Sequence, residues 1–109
     1  MKNRYSVPIN SSVTGSLDIY EILNNFYYIE GSITLIKNGN GLDANSILSI
    51  AKITKCIPSH NQSIYCSNLS GGKYYSGYLV ISNDGNISIV NSGNVATYFY
   101  TNISSFYKK

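Results

Sequence analysis

The sequence predicts an all-β protein, an antiparallel β-sandwich of jelly-roll type. Three observations predict it. Apolar residues recur at every second position in several short stretches, the spacing of strands that bury one face. Asn, Gly and Ser interrupt those stretches where the chain must turn. No stretch of the 109 residues carries the apolar period of a convincing long helix. At 43% hydrophobic, with 15 Ile, the chain fills one core and has no material for a second. The expected organisation is a sandwich over residues 15–109, with residues 1–14 leading into it.

Taken in order, Leu17 and Ile19 alternate with Asp18 and Tyr20, a short strand. The clearest strand is 26–36, where Tyr27, Ile29, Gly31, Ile33 and Leu35 share one face and Tyr28, Glu30, Ser32 and Thr34 the other. It stops at Lys37-Asn38-Gly39-Asn40-Gly41, residues that tolerate positive φ at little cost. Residues 43–53 are ambiguous. Ile47, Ile50 and Ile53 recur at helical spacing with Asp43 or Asn45 available as a cap, yet the β-branched content and the strands on either side favour a strand. In 77–91, two alternating runs flank Asn83-Asp84-Gly85, a strong hairpin signal. After Ser92-Gly93-Asn94 the alternation resumes over 95–106.

Charged residues make up 12% of the chain, about half the usual ~25%. Short neutral polar side chains take their place, with 17 Ser and 14 Asn. The net charge of +3 comes from scattered lysines, not from the convergent cluster that phosphate contacts need, so no nucleic-acid partner is expected. No apolar run approaches the ~18 residues of a membrane span, and Met1-Lys2-Asn3-Arg4 precedes no apolar stretch. Neither membrane insertion nor a signal peptide is expected.

Catalytic chemistry has little to work with: five carboxylates, one histidine and two thiols. The spacing of Cys56 and Cys66 around His60 matches no nucleophile–base signature, and Asp18 and Glu30 read as solvated strand carboxylates. Gly39-Asn40-Gly41 and Gly71-Gly72 lack the helix and Lys-Ser/Thr of a phosphate loop. No catalytic residue, metal or cofactor is expected. Cys56 and Cys66 stand either as two unpaired thiols or as a disulfide closing a short loop. The Asn-x-Ser sequons at Asn10, Asn61, Asn68, Asn86 and Asn102 arise from composition alone.

What remains is tyrosine, 11 residues against 3 Phe and no Trp. A tyrosine offers a ring to stack on a sugar face and a hydroxyl for its rim, and neighbouring Asn and Ser extend that hydrogen bonding. The same rings also suit a core or a subunit interface. The stretch 67–75 combines polarity and aromaticity in what reads as a flexible loop. It supplies Asn68, Ser70, Lys73, Tyr74 and Tyr75 as candidate ligand contacts, joined by Tyr98 and Tyr100.

Three segments carry a resemblance in their order along the chain: Asn25-Phe26-Tyr27-Tyr28-Ile29-Glu30-Gly31-Ser32-Ile33-Thr34; an apolar segment ending at Ile57-Pro58-Ser59; and the 77–89 hairpin around Asp84-Gly85. Over roughly residues 15 to 107 this set resembles the C-terminal head domains of bacteriophage tail-fibre, baseplate and receptor-binding proteins. Of the Leu-Pro-x-Gly-Tyr-x-Pro-Ser run common in that family, only Pro58-Ser59 is kept here. The resemblance implies a non-catalytic homotrimeric head at a virion tail tip or other extracellular particle, attaching to a bacterial cell-surface saccharide. Two other readings fit the composition: a trimerisation or capping module similar to complement or tumour-necrosis-factor heads, and a small secreted lectin. A surface so poor in charge suits an assembly that covers much of it.

Overall fold

The computed structural model describes residues 3–35, 42–70, 73–93 and 100–109, with side chains described for all of these but 66–70, 73–76 and 100. The described residues contain eight strands and no helix: β1 (Asn3–Ser6), β2 (Val13–Leu23), β3 (Phe26–Leu35), β4 (Ser46–Lys52), β5 (Gln62–Ser70), β6 (Lys73–Ile81), β7 (Asn86–Asn91) and β8 (Tyr100–Lys108). They form two four-stranded sheets, A in the order β1-β2-β3-β8 and B in the order β4-β7-β6-β5, with every pairing antiparallel. The expected all-β sandwich is what the chain forms.

The alternation read in 26–36 sets the inner face of sheet A. Tyr27, Ile29, Ile33 and Leu35 are buried, as are Leu17 and Ile19 of β2 and Ile103 and Tyr107 of β8. Sheet B answers with Ile50, Ile64, Leu79, Ile81, Ile87 and Ile89, and the two inner faces make one core. Each such side chain stabilises the fold by about 1.5–3 kcal/mol. Asn83-Asp84-Gly85 turns β6 into β7 as expected, closed by Ser82 N–H to Asn86 O at 2.8 Å. The Asp84 carboxylate accepts from the Asn86 amide at 3.0 Å. That bond, first among its causes, holds the Asp84 carboxyl below its ordinary range.

Three elements differ from expectation. The short strand around Leu17 is the middle of an 11-residue β2, whose first half, with Thr14, Gly15 and Ser16, has too little apolar alternation to read as a strand. Pairing with β3, from Val13↔Leu35 onward, makes it one. β1 has no periodic signal and forms as an edge strand on β2, so residues expected as a lead-in supply part of sheet A and the buried Val7. In β4 the strand reading of 43–53 holds from Ser46, and a bulge between Ser49 and Ala51 explains the helix-like spacing. The extra residue puts Ile50, Ala51 and Ile53 all inward, while Ile47 is exposed. Asn10 satisfies the bulge, its amide donating to Ile50 O at 2.8 Å and its side chain to Ser49 O at 3.0 Å. The turn expected at 37–41, and the part of the last strand expected at 95–99, lie outside the described residues.

Gly15 and Gly31 flank the Ser16↔Ser32 pair of the β2–β3 hairpin, with φ of +117° and +146°. A Cβ on Gly31 would lie 2.0 Å from the Ser16 carbonyl oxygen, and one on Gly15 would lie 2.1 Å from that of Ser32. Only glycine lets the two backbones approach so closely.

Residues 53–61 join β4 to β5 at opposite edges of sheet B and close one end of the sandwich. Ile53 N–H donates to Gly85 O at 2.8 Å, Asn83 N–H to the Asn61 side chain at 2.9 Å, and the Tyr107 hydroxyl to Cys56 O at 2.8 Å. At the start of sheet B, the buried Asn91 side chain donates to Leu42 O at 3.0 Å and Asp43 O at 3.1 Å and accepts from Gly93 N–H at 3.0 Å.

Candidate functional site

The stretch 67–75, expected as a flexible loop, is paired strand wherever it is described. Asn68 stands opposite Tyr75, Leu69 opposite Tyr74 and Ser70 opposite Lys73. Ser and Asn are poor strand formers, so the local sequence favours a loop and the ladder with β6 decides otherwise. β7 pairs β6 only from Gly77 to Ile81, which leaves these pairs overhanging it as a two-stranded ribbon. Tyr100 opens β8 opposite Thr34 of β3. β6 runs from the overhang to the turn that bonds Ile53, and β8 runs from Tyr100 to the Tyr107 that bonds Cys56. Both therefore start at the end of the sandwich away from residues 53–61. The side chains of Asn68, Ser70, Lys73, Tyr74, Tyr75 and Tyr100 lie outside those described, and Tyr98 lies outside the described residues altogether.

A second surface escaped the sequence reading. With Ile19, Tyr27, Ile29 and Tyr107 turned inward, their neighbours must face out. Cross-strand register then lines up Arg4, Tyr20, Tyr28 and Phe106 in one row across all four strands of sheet A. Ring centroids lie 6.4 Å apart for Tyr20 and Tyr28 and 4.9 Å apart for Tyr28 and Phe106. Phe26 stacks on Phe106 at 5.3 Å with the planes 5° from parallel, and Phe106 is 58% exposed. The Tyr28 hydroxyl is hydrogen-bonded to that of Ser104.

The next row brings Asp18 directly opposite Glu30. Like charges in such a pair repel. Asp18 has a compensating partner, with Arg4 Nη2 3.1 Å from Asp18 Oδ1. Partial burial first, then Glu30, raises the Tyr20 phenol above its ordinary value. Asp18 is thus ion-paired to Arg4, and both carboxylates border the rings. The signal was in the sequence as alternate residues of β2 and β3, but only the register makes the two strands neighbours.

Between β1, β2 and residues 55–56 lies a cleft of about 450 Å³ lined by Asn3, Arg4, Tyr5, Glu21, Tyr27, Lys55 and Cys56. Lys55 Nζ sits 5.9 Å from the centre of the Tyr5 ring. Cys56 is a free thiol, held at a φ of 60°, and the side chain of Cys66 lies outside those described. Burial, then the Glu21 carboxylate, pushes the Cys56 thiol up, the reverse of the shift that activates a nucleophile. Among the described residues no group of three or more His, Cys, Asp or Glu is arranged to hold a metal.

Two four-stranded antiparallel sheets joined in this order make the β-sandwich that the sequence resemblance implied. The chain is similar over 99% of its length to 98% of the head domain of phage bIL170, described among the receptor-binding domains of lactococcal phages, with a TM-score of 0.70 and 20% sequence identity. At that identity the likeness is one of fold. No protein-family model and no curated protein matches the chain.

Proposed function

We propose that this protein is a non-catalytic receptor-binding head of a phage or phage-derived tail fibre or baseplate, attaching to carbohydrate on a bacterial surface. The observation that carries the reading is the end-to-end likeness of fold to the phage bIL170 head domain. A surface rich in Ser, Asn and Tyr and poor in charge supports a neutral, hydroxylated ligand over an ionic one. Asn68, Ser70, Lys73, Tyr74 and Tyr75 on the overhanging ribbon, with Tyr98 and Tyr100, are the proposed contacts. This end of the β5–β6 ladder extends past the end of β7, at an end of the sandwich where binding segments can sit.

The working state is a homotrimer at the tail tip. Its support is the outer face of sheet B, where Tyr65, Tyr78, Val90 and Ile47 form an uncharged row across the four strands. Tyr65 is 79% and Ile47 64% exposed, an apolar surface that favours cover by another subunit. Retention on immobilised bacterial wall saccharides, with the oligomeric mass read by light scattering, tests both parts. Tyr74→Ala with Tyr75→Ala is expected to abolish retention while the trimer persists. Dissociation on the same substitutions would assign these tyrosines to an interface, and no retention of the wild-type trimer on any wall saccharide would refute the receptor reading.

A further inference from the structure

We infer that the outer face of sheet A is a second saccharide-binding surface, on which a neutral hexose unit lies against the Tyr28 and Phe106 rings and hydrogen-bonds to Glu30. The inference rests on the receptor reading above and assigns it residues away from the overhanging ribbon.

Three features carry it. The first is shape. The Phe106 ring lies 5.3 Å from that of Phe26 and 4.9 Å from that of Tyr28, with Tyr20 6.4 Å beyond Tyr28, a continuous aromatic patch. The C–H face of a pyranose fits such a patch, and its hydroxyls reach past the ring edges.

The second is what borders the patch. Glu30 and Ser104 stand in the adjoining row, beside Tyr28 and Phe106. A carboxylate accepts on both oxygens, so Glu30, beside the rings, has the capacity to meet the vicinal hydroxyls of a sugar. Placing Asp18 opposite Glu30 costs stability within the sheet, and the Arg4 ion pair to Asp18 offsets part of it. Retaining two opposed carboxylates beside exposed rings is easier to understand for a binding surface than for an inert face.

The third feature selects the occupant. A second copy packed on this face would strip water from Asp18, Glu30, Arg4 and Lys108 together, and desolvated charges are costly unless each is paired across the contact. Sheet B offers a copy the uncharged row of Tyr65, Tyr78, Val90 and Ile47 instead. A sugar covers the rings and hydrogen-bonds to the carboxylate at its edge, leaving the remaining charges in water.

The test uses the full chain on immobilised neutral hexose and N-acetylhexosamine oligosaccharides of bacterial walls. Phe106→Ala and, separately, Glu30→Gln are expected to weaken retention about tenfold. The melting temperature and oligomeric mass should hold, and Glu30→Gln preserves the shape of the side chain should Phe106→Ala disturb the sheet. Wild-type retention with both variants binding equally well would overturn the platform and leave the receptor reading standing. Loss of the oligomer in Phe106→Ala would make a second copy the occupant, and would also overturn it. If the wild type is retained on no saccharide, the receptor reading fails and the platform with it.

Discussion

Replacing Gly31 by alanine is expected to be among the most damaging single-methyl additions to this chain. The new Cβ would sit 2.0 Å from the Ser16 carbonyl oxygen, 2.9 Å from its carbon and 3.0 Å from Leu17 Cα, all backbone atoms that no rotamer change can move aside. Restoring ordinary contact requires β2 and β3 to part by more than an ångström. That breaks about two ladder hydrogen bonds, each worth about 1 kcal/mol net. Holding an L-residue at a φ of +146° adds about 1–3 kcal/mol. The sum, about 3–5 kcal/mol, is a large share of the ~5–15 kcal/mol that stabilises a domain of this size. At roughly 4 °C per kcal/mol, the melting temperature should fall by about 12 °C or more. Circular dichroism melts at fixed protein concentration, supported by urea titration, measure it. Ser32→Ala, at the exposed neighbouring position, is the control and should change stability by less than about 0.5 kcal/mol. Gly15→Ala should behave like Gly31→Ala. The double variant should cost less than the two combined, because parting the strands at one glycine makes room at the other. A Gly31→Ala protein melting within about 2 °C of wild type would refute the close-approach reasoning.

Two further outcomes follow from buried polar groups. Asn91→Ala removes the donor to Leu42 O and Asp43 O and the acceptor for Gly93 N–H, and should cost about 2–4 kcal/mol by urea unfolding. Tyr107→Phe leaves Cys56 O without the hydroxyl that donates to it and should cost about 1–2 kcal/mol at neutral pH. The same tyrosine sets an alkaline limit. Burial raises the Tyr107 and Tyr27 phenols and the Cys56 thiol, so the fold favours all three in their neutral forms. Their contribution is complete below the unfolded-state values, about 8.5 for a thiol and about 10 for a phenol, and is lost as pH rises above them. Wild-type melting temperature should therefore decline from about pH 9 and more steeply above about pH 10, and Tyr107→Phe should lessen the steeper part, leaving the share of Tyr27.

The low charge and the tyrosine excess acquire a definite geography in the fold. Tyr27 and Tyr107 are core, with ring centroids 5.1 Å apart, whereas Tyr28 and Tyr20 face outward on sheet A and Tyr65 on sheet B. Neighbours in sequence thus serve opposite sides of one sheet. The uncharged row across sheet B and the aromatic row of sheet A, bordered by charge, differ enough to suit different partners.

By itself the sequence determined the fold class, the inner face of β3 and the β6–β7 hairpin. Period-two alternation and Asp84-Gly85 are local signals, each written within about ten residues. What only the tertiary structure decided is everything set by pairing between distant segments. β1, with no alternation of its own, became a strand because β2 offered an edge. Residues 67–70 and 73–75 became ribbon and not loop because each supplies the other's ladder. The helix-like spacing in β4 resolved into a bulge because Asn10 could satisfy the displaced carbonyls. The same reason hid the sheet A surface: Tyr28 and Phe106, neighbours in the row of Arg4, Tyr20, Tyr28 and Phe106, lie 78 residues apart in sequence, and register alone makes the four a row. Local periodicity tells a residue which side of its strand it occupies, but hydrogen-bonded pairing chooses its neighbours, and a binding surface is made of neighbours.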